Sequence, residues 1–442
     1  MMTKPALSLQ NIMTNLRKRW TTAVDVRKPS NNARYTVADG ILAAFSVFFM
    51  QSSSFLEHQR LLQNKKGRSN ARSLFQVEEI PSDPQIRNLV DPAASAYFQE
   101  DFWDLLDKLK EEQRLLQFRN ALKTYAIALD GVSFFSSEKI ACPKCSKRAD
   151  RRGVEHFYHN AITPVFVKPG QSQVLPLPPE FIVPQDGTEK QDCERVAAKR
   201  WLAQHHEHFS DHSVTYLGDD LYANQPLCQL IVETYRQFFI FTCKPESHSG
   251  LYEWLAFLDK NHAIEKVTQR HWQGKYGEIW QYRFANQVPL RNGSDALQVN
   301  WLELVITHED SGKILYQNSF VTNHTITATK VIHLTQIGRA RWKIENENNN
   351  TLKTKGYHLE HNFGHGQQDL ANVLASLNIP AFLIHTIQEM LEPAYQRLRR
   401  ALGARKTFFN DLRALTRYMV FDSWDDLFSF MEEGLEIAQA SP

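Results

Sequence analysis

Long apolar runs are scarce in this sequence. The longest, Ile41 to Met50, covers ten residues, too few to cross a bilayer, so no membrane partner is expected. Cysteine is scarce too. Five in 442 residues do not make a disulfide framework, and a reducing, intracellular compartment fits. The first residues lack the ordered basic end, apolar run and cleavage site of a signal peptide. Net charge is nearly absent: the formal value is +2. Nucleic acid, if bound, must therefore be met by local clusters of cations. There are no internal repeats or low-complexity tracts. No Walker motif, dinucleotide fingerprint, HExxH or GxSxG occurs, which removes the commonest enzyme classes recognisable by short motifs.

What is present divides by pattern. A chain of this length can bury a substantial core and should form two or three domains. Residues 1–122 read as a helical domain. Within it, residues 1–34 carry seven Lys or Arg against one acid, Asp25. Leu9, Ile12, Met13 and Leu16 mark an amphipathic helix leading into Arg17, Lys18 and Arg19, a candidate contact for a DNA backbone or a solvated arm. Thr36 caps the next helix, and NKKGRSNAR brings Lys65, Lys66 and Arg68 around a glycine. Ser82 or Asp83, followed by Pro84, signals another helix start.

At Thr124 the pattern turns to strands. TYAIALDGVSFFSS reads as one apolar strand with Asp130-Gly131 at the end of its core half. VTYLGDDLYANQP reads as a second strand, Val214 to Leu217, ended by Asp219 and Asp220. FFIFTCKP is a third. A crossover helix between strands, from Lys190 on, implies an α/β core over 123–245. Residues 246–330 alternate strongly and read as a β-rich insertion. Its Trp272, Tyr276 and Trp280, with Arg270, Lys275 and Arg283, are either sheet core or a brace for an unpaired DNA end. Residues 331–390 return to helix, and 391–442 form a helical tail where Arg397, Arg399, Arg400, Arg405 and Lys406 cluster.

Two groups of residues carry candidate chemistry. CPKC gives Cys142 and Cys145 metal-ligand spacing, and His156 and His159 follow. Together they are a candidate zinc site, or else a hairpin tip with two free thiols. His159 is also expected to point toward Asp130 from the adjacent strand. The other group is Asp130, Asp219 and Glu345. In LTQIGRARWKIENENNN, Ile337, Ala340 and Ile344 share one helical face, while Arg341 and Glu345 stand one turn apart. Two acids at strand ends and one on a packed helix suit a pair of divalent ions. An ordinary amphipathic helix with an i,i+4 ion pair has the same spacing.

The order LDG, LGDDLY, then GRARWKIEN followed by LK resembles the IS4-type DDE transposases of insertion sequences. It looks most like a bacterial group with IPSDPQIRNLVD, KQDCE, GRARWKIENENNN and TLKTKGYHLEHNFGHG segments. The resemblance covers nearly the whole chain. It implies an RNase H-like catalytic core with a helical N-terminal DNA-binding domain and a β-rich insertion before the last acid. It implies that Asp130, Asp219 and Glu345 are catalytic and hold two Mg²⁺ or Mn²⁺ ions. Asp219 fits through Tyr222, three residues on, and Asp220 is its rival.

The family signature around the glutamate is Tyr, Arg, Glu, Lys. Arg341 matches the arginine, and Gly338 stands in the tyrosine's place. The lysine's usual position, seven after the glutamate, holds Leu352. Lys353, eight after it, would lie about 80° away on a regular helix unless a distorted turn restores it. With Arg341 it is the implied phosphate-binding pair. Arg17, Lys18, Arg19, Lys65, Lys66, Arg68, Arg399 and Arg400 are further candidate contacts. The implied reaction is nicking of element ends and joining of their 3′-hydroxyls to target DNA. It implies a homodimer on double-stranded DNA, in a bacterial cytoplasm and nucleoid-associated. The alternatives are a metal-dependent nuclease without strand transfer, an inactive DNA-binding protein, or a structural scaffold.

Overall fold

The computed structural model describes residues 6–27, 34–62, 69–184 and 193–437. Lys65, Lys66 and Arg68 lie outside the described residues, as does the stretch 185–192, which includes the expected start of the crossover helix at Lys190; the described helix is Glu194–His205. The strands are β1 (Tyr125–Ala128), β2 (Gly131–Ser137), β3 (Ser146–Ala149), β4 (Glu155–Ile162), β5 (Val165–Val167), β6 (Leu175–Pro176), β7 (Glu180–Ile182), β8 (Val214–Gly218), β9 (Phe238–Thr242), β10 (Glu265–Trp272), β11 (Gly277–Pro289), β12 (Gln298–His308) and β13 (Ile314–Thr322).

Nine of them form one sheet, in the order β10-β11-β12-β13-β9-β8-β1-β5-β6. β1, β8 and β9 run parallel; β5 is antiparallel to β1, and β13 to β9. The parallel strands are covered on both faces, which is why YAIA, VTYLG and FFIFT read as near-continuous apolar runs rather than alternating ones. The alternating strands of 265–322 continue this same sheet through β13 and β9. A helix, Ser249–Lys260, precedes them.

The expected single strand over TYAIALDGVSFFSS is two. β1 ends at Ala128, and β2 starts at Gly131 in a second sheet, where β4 pairs with β2, β3 and β7. Asp130 stands at the handover. A peptide leaving one sheet for another has no ladder partners of its own, so its polar groups need local ones. The carbonyl of Asp130 accepts from the Thr163 N–H at 3.1 Å.

The helical layer forms around Leu370–Leu391. By length and composition this helix could cross a membrane, yet 94% of its apolar window is buried inside the protein. Helix Val37–Phe49, capped by a reciprocal Thr36–Asp39 box, packs along it. Phe49 meets His385, and Gln388 reaches the Leu7 carbonyl at 2.9 Å. The start of the long helix is capped from a distance. The Asp91 carboxylate accepts from the N–H groups of Gln367, Gln368, Asp369 and Leu370, donors that a helix start otherwise leaves unsatisfied. Asp91 follows helix Asp83–Val90, which Ser82 caps with Pro84 inside its first turn.

Candidate functional site

Parallel pairing sets the first two acids side by side. Ala128 registers with Leu217, and the Leu129 N–H donates to the Leu217 carbonyl at 2.8 Å. Asp130 and Asp219 therefore leave the same end of neighbouring strands. In open α/β sheets the carboxyl ends of parallel strands are where ligands bind. The two members of the 219–220 pair differ in their engagements. Asp220 accepts from the Lys244 N–H at 2.7 Å and from the Ser247 hydroxyl, and lies 3.4 Å from His248 Nδ1. It is committed to the turn after β9. Asp219 accepts only locally, from the Leu221 N–H at 2.9 Å.

The third acid arrives on a distorted helix. Helix Lys330–Arg339 packs on the sheet so closely that a Cβ at Gly338 would lie 3.0 Å from Ile240 and Phe320. The tyrosine of the family signature has no room there. Ile337, Ala340 and Ile344 are buried as their spacing predicts. The regular helix stops at Arg339, and Ile344–Asn349 forms a π-helix. Arg341 and Glu345 make the expected pair, 2.7 Å apart. Since π turns bond i to i+5, each absorbs one extra residue. The position eight after Glu345 then faces where the seventh would on a regular helix. Accordingly Leu352 is core and Lys353 is not. Lys353 pairs with Glu360 at 2.7 Å.

A short bridge fastens this helix to the strand end. Thr163, whose N–H binds the Asp130 carbonyl, donates its hydroxyl to Asn349 Oδ1 at 2.7 Å. Asn348 donates to the same oxygen at 2.9 Å. Both asparagines are buried.

Burial pushes the Asp130 carboxyl up to about 7. Arg341 opposes the rise, while Glu194, Glu345 and Asp219 add to it. Asp130 thus feels all three other acids and the arginine as one electrostatic neighbourhood. Glu194 is the member that sequence reasoning missed. It opens helix Glu194–His205 and accepts from the Gly131 N–H at 3.1 Å and the Tyr222 hydroxyl at 2.7 Å. A Cβ at Gly131 would stand 2.5 Å from its carboxylate, so a side chain there would push the Glu194 carboxylate aside. Burial raises the Glu194 carboxyl as well. KQDCE stands out as a segment, but nothing in its spacing separates this acid from any first-turn helix glutamate.

The Cys/His group differs from its expected form. Cys142, Cys145, His159 and His365 bring one ligand atom each within 4.8 Å of all the others. Among the described residues no set of three of the acids does so. His156 is not in the group; its Nε2 lies 3.7 Å from Asp150 and 4.0 Å from Glu138. The reason is strand geometry: residues three apart on β4 point to opposite faces. His159 accordingly faces the cysteines rather than Asp130. The fourth member, His365, sits in the GYHLEHNFGHG segment, whose run of histidines was the available signal.

The peripheral cations divide. Arg17 pairs with Asp39 at 3.3 Å. Arg19 pairs with Asp101 at 3.4 Å and with Asp104, while Lys18 is exposed. Arg399 lies over Phe408, and Arg400 is exposed. In the β meander Arg270 and Arg283 pair with Glu309 and Glu303. Trp280 lies under Arg339, and Trp272 is 64% exposed. A cavity of about 600 Å³, reached at Thr354 to His358 after the Glu345 helix, is lined by Lys355, Arg405, Lys406 and Arg413 with Glu57 among them.

These features define a mixed α/β protein with acids gathered at the carboxyl end of its parallel strands. No protein-family model matches the chain, and no curated protein matches its sequence.

Proposed function

We propose that the chain is a DDE-type DNA transposase of the IS4 kind, with Asp130, Asp219 and Glu345 as its catalytic acids. The observation that carries this reading is the joint siting of Asp130 and Asp219 on adjacent parallel strand ends, with the Glu345 helix bridged to the same point through Thr163 and Asn349. The strand order β6-β5-β1-β8-β9, with two antiparallel strands beside three parallel ones, supports an RNase H-like core.

Asp130, Asp219 and Glu345 would hold divalent ions between them, and with two ions sharing the carboxylates the acids would not need to touch one another. Mg²⁺ or Mn²⁺ bound there would activate water for the nick and stabilise the departing 3′-oxygen. Asp130 and Asp219 would hold the ions together with Glu345, which Arg341 keeps in place at 2.7 Å, and Glu194 fixes the Gly131 backbone beside them. Arg341 and Lys353 offset phosphate charge, and the basic cavity extends that rim. Two ends must be cut and joined together, so the working form is a dimer on DNA.

The test incubates the full chain with labelled ends of its element, a target plasmid and Mg²⁺ or Mn²⁺. Nicked ends and joined product are expected from the wild type and neither from Asp130→Ala. Nicking without joining selects the nuclease reading instead. Cleavage untouched by the substitution removes both.

A further inference from the structure

The geometry points to a structural zinc site formed by Cys142, Cys145, His159 and His365, which staples the loop after the Glu345 helix to the β2–β4 sheet. This inference stands independently of the transposase reading. The two sulfurs are 3.9 Å apart. His159 Nε2 lies 3.4 Å from each sulfur, and His365 Nε2 lies 3.1 Å from Cys145 Sγ. A tetrahedral ion with Zn–S near 2.3 Å and Zn–N near 2.05 Å has S–S edges of about 3.8 Å and S–N edges of about 3.5 Å. Four of the six edges thus come close to those of such a tetrahedron, and the other two lie within 4.8 Å. Two thiols and two neutral imidazoles cannot put a hydrogen on every one of these short edges, whereas one cation satisfies all four lone pairs at once.

The local build is that of a ligand turn. The Cys145 N–H closes CPKC onto the Cys142 carbonyl at 3.1 Å, and the Cys142 N–H points at Cys145 Sγ at 3.4 Å. Cys145 and His159 are buried, and Phe135 packs against the His365 ring. Thiolate and imidazole donors select zinc over magnesium. Four protein ligands leave no open position, so the ion is structural rather than catalytic. Its binding releases the protons of the two thiols.

The position gives the site its consequence. His159 is on β4, which pairs with the strand starting directly after Asp130. His365 is 220 residues from Cys145, in the loop that follows the Glu345 segment. One ion therefore ties the Asp130 wall to the Glu345 wall, in a loop that Arg87 also holds at the Phe363 carbonyl and Asp91 at the Gln367 N–H.

The full chain, purified without chelators, is assayed for metal by atomic emission. Close to one zinc ion per chain is expected, lost in Cys145→Ser, greatly reduced in His365→Ala and unchanged in His156→Ala. Where the alanine variant fails to fold, His365→Cys retains the metal and, in the cobalt form, strengthens the thiolate charge-transfer absorption. Chelation of the wild type should lower its Tm and open residues 358–366 to protease. A wild type that holds no zinc and takes up no cobalt overturns the proposal. So does zinc that leaves with His156→Ala and stays with His365→Ala. Zinc whose removal alters neither Tm nor protease cleavage overturns the staple.

Discussion

The acid site and the Cys/His site are built on consecutive peptides yet obey opposite rules. β1 delivers Asp130 to the first, and β2, starting one residue later, begins the sheet that carries the second. In the Cys/His site the ligand atoms converge within 4.8 Å. In the acid site they stay dispersed, with Glu345 held on Arg341 and Glu194 on Gly131 and Tyr222. Charge explains the contrast. Thiols and imidazoles are neutral at neutral pH and can be packed together in a half-dry corner. Carboxylates brought to one place raise each other's affinity for protons, as Asp130 shows. On the two proposals, the preformed site would keep a resident ion, and the loosely held one would take ions that come and go with substrate.

The strongest way to break this comparison is to empty one site and read the other. Asp130→Ala should lower end cleavage by about a thousandfold or more while leaving zinc content unchanged, by gel assay and atomic emission. Asp220→Ala, which strips a cap from Lys244 and Ser247, should cost stability and no more than about tenfold in cleavage. A reversed pattern would exchange the roles of Asp219 and Asp220.

Next in size is Gly338→Tyr. With Ile240 and Phe320 already at 3.0 Å from a bare Cβ, the ring must displace the helix from the sheet. A loss of about 3 kcal/mol or more in urea unfolding is expected. Unchanged stability would mean that the family tyrosine could be restored here after all.

A smaller effect sharpens the electrostatic half. Asp130 rises from 3.8 to about 7 on folding, so the folded state holds its proton more tightly than the unfolded one. Its stabilising contribution is complete below pH ~4 and is lost as pH rises through about 7. In chelator, Asp130→Asn should flatten that decline, with a higher Tm than wild type at pH 8 and little difference at pH 4. Mg²⁺ should raise the wild-type Tm at pH 8 and leave the variant's unchanged. Equal slopes in the two proteins would separate Asp130 from the acid cluster.

The smallest expected change is from Lys353→Ala. Its ion pair with Glu360 is a partly exposed one, worth under about 1 kcal/mol to the fold. The DNA-binding salt slope should fall by about 1. No change in slope would remove Lys353 from the phosphate contacts.

Much of the local structure was legible because it is decided locally. The Thr36 and Ser82 caps and the strands at Val214 and Phe238 all follow from neighbours a few residues apart. The break at Asp130 was not legible, because GVSFF is as good a strand as YAIA and only the partner sheet separates them. Nor was the π-helix at Ile344–Asn349, whose residues carry no signal for an extra turn member. The spacing after CPKC points to His156 and not to His365 for a similar reason. Spacing along the chain points to near neighbours, whereas β4 turns one of its two histidines away and a loop 220 residues on supplies the replacement.

By itself the sequence determined which segments are apolar, where helices start, and that CPKC and three separated acids are present. Those properties depend on side-chain chemistry and short-range backbone preference. The tertiary structure decided that β1 and β8 lie parallel, so that Asp130 and Asp219 share an end. It brought Glu194 onto Gly131, committed Asp220 to another turn, and completed the Cys/His group with His365. Each of these is a contact between distant segments, and the packing of the whole core fixes which segments meet.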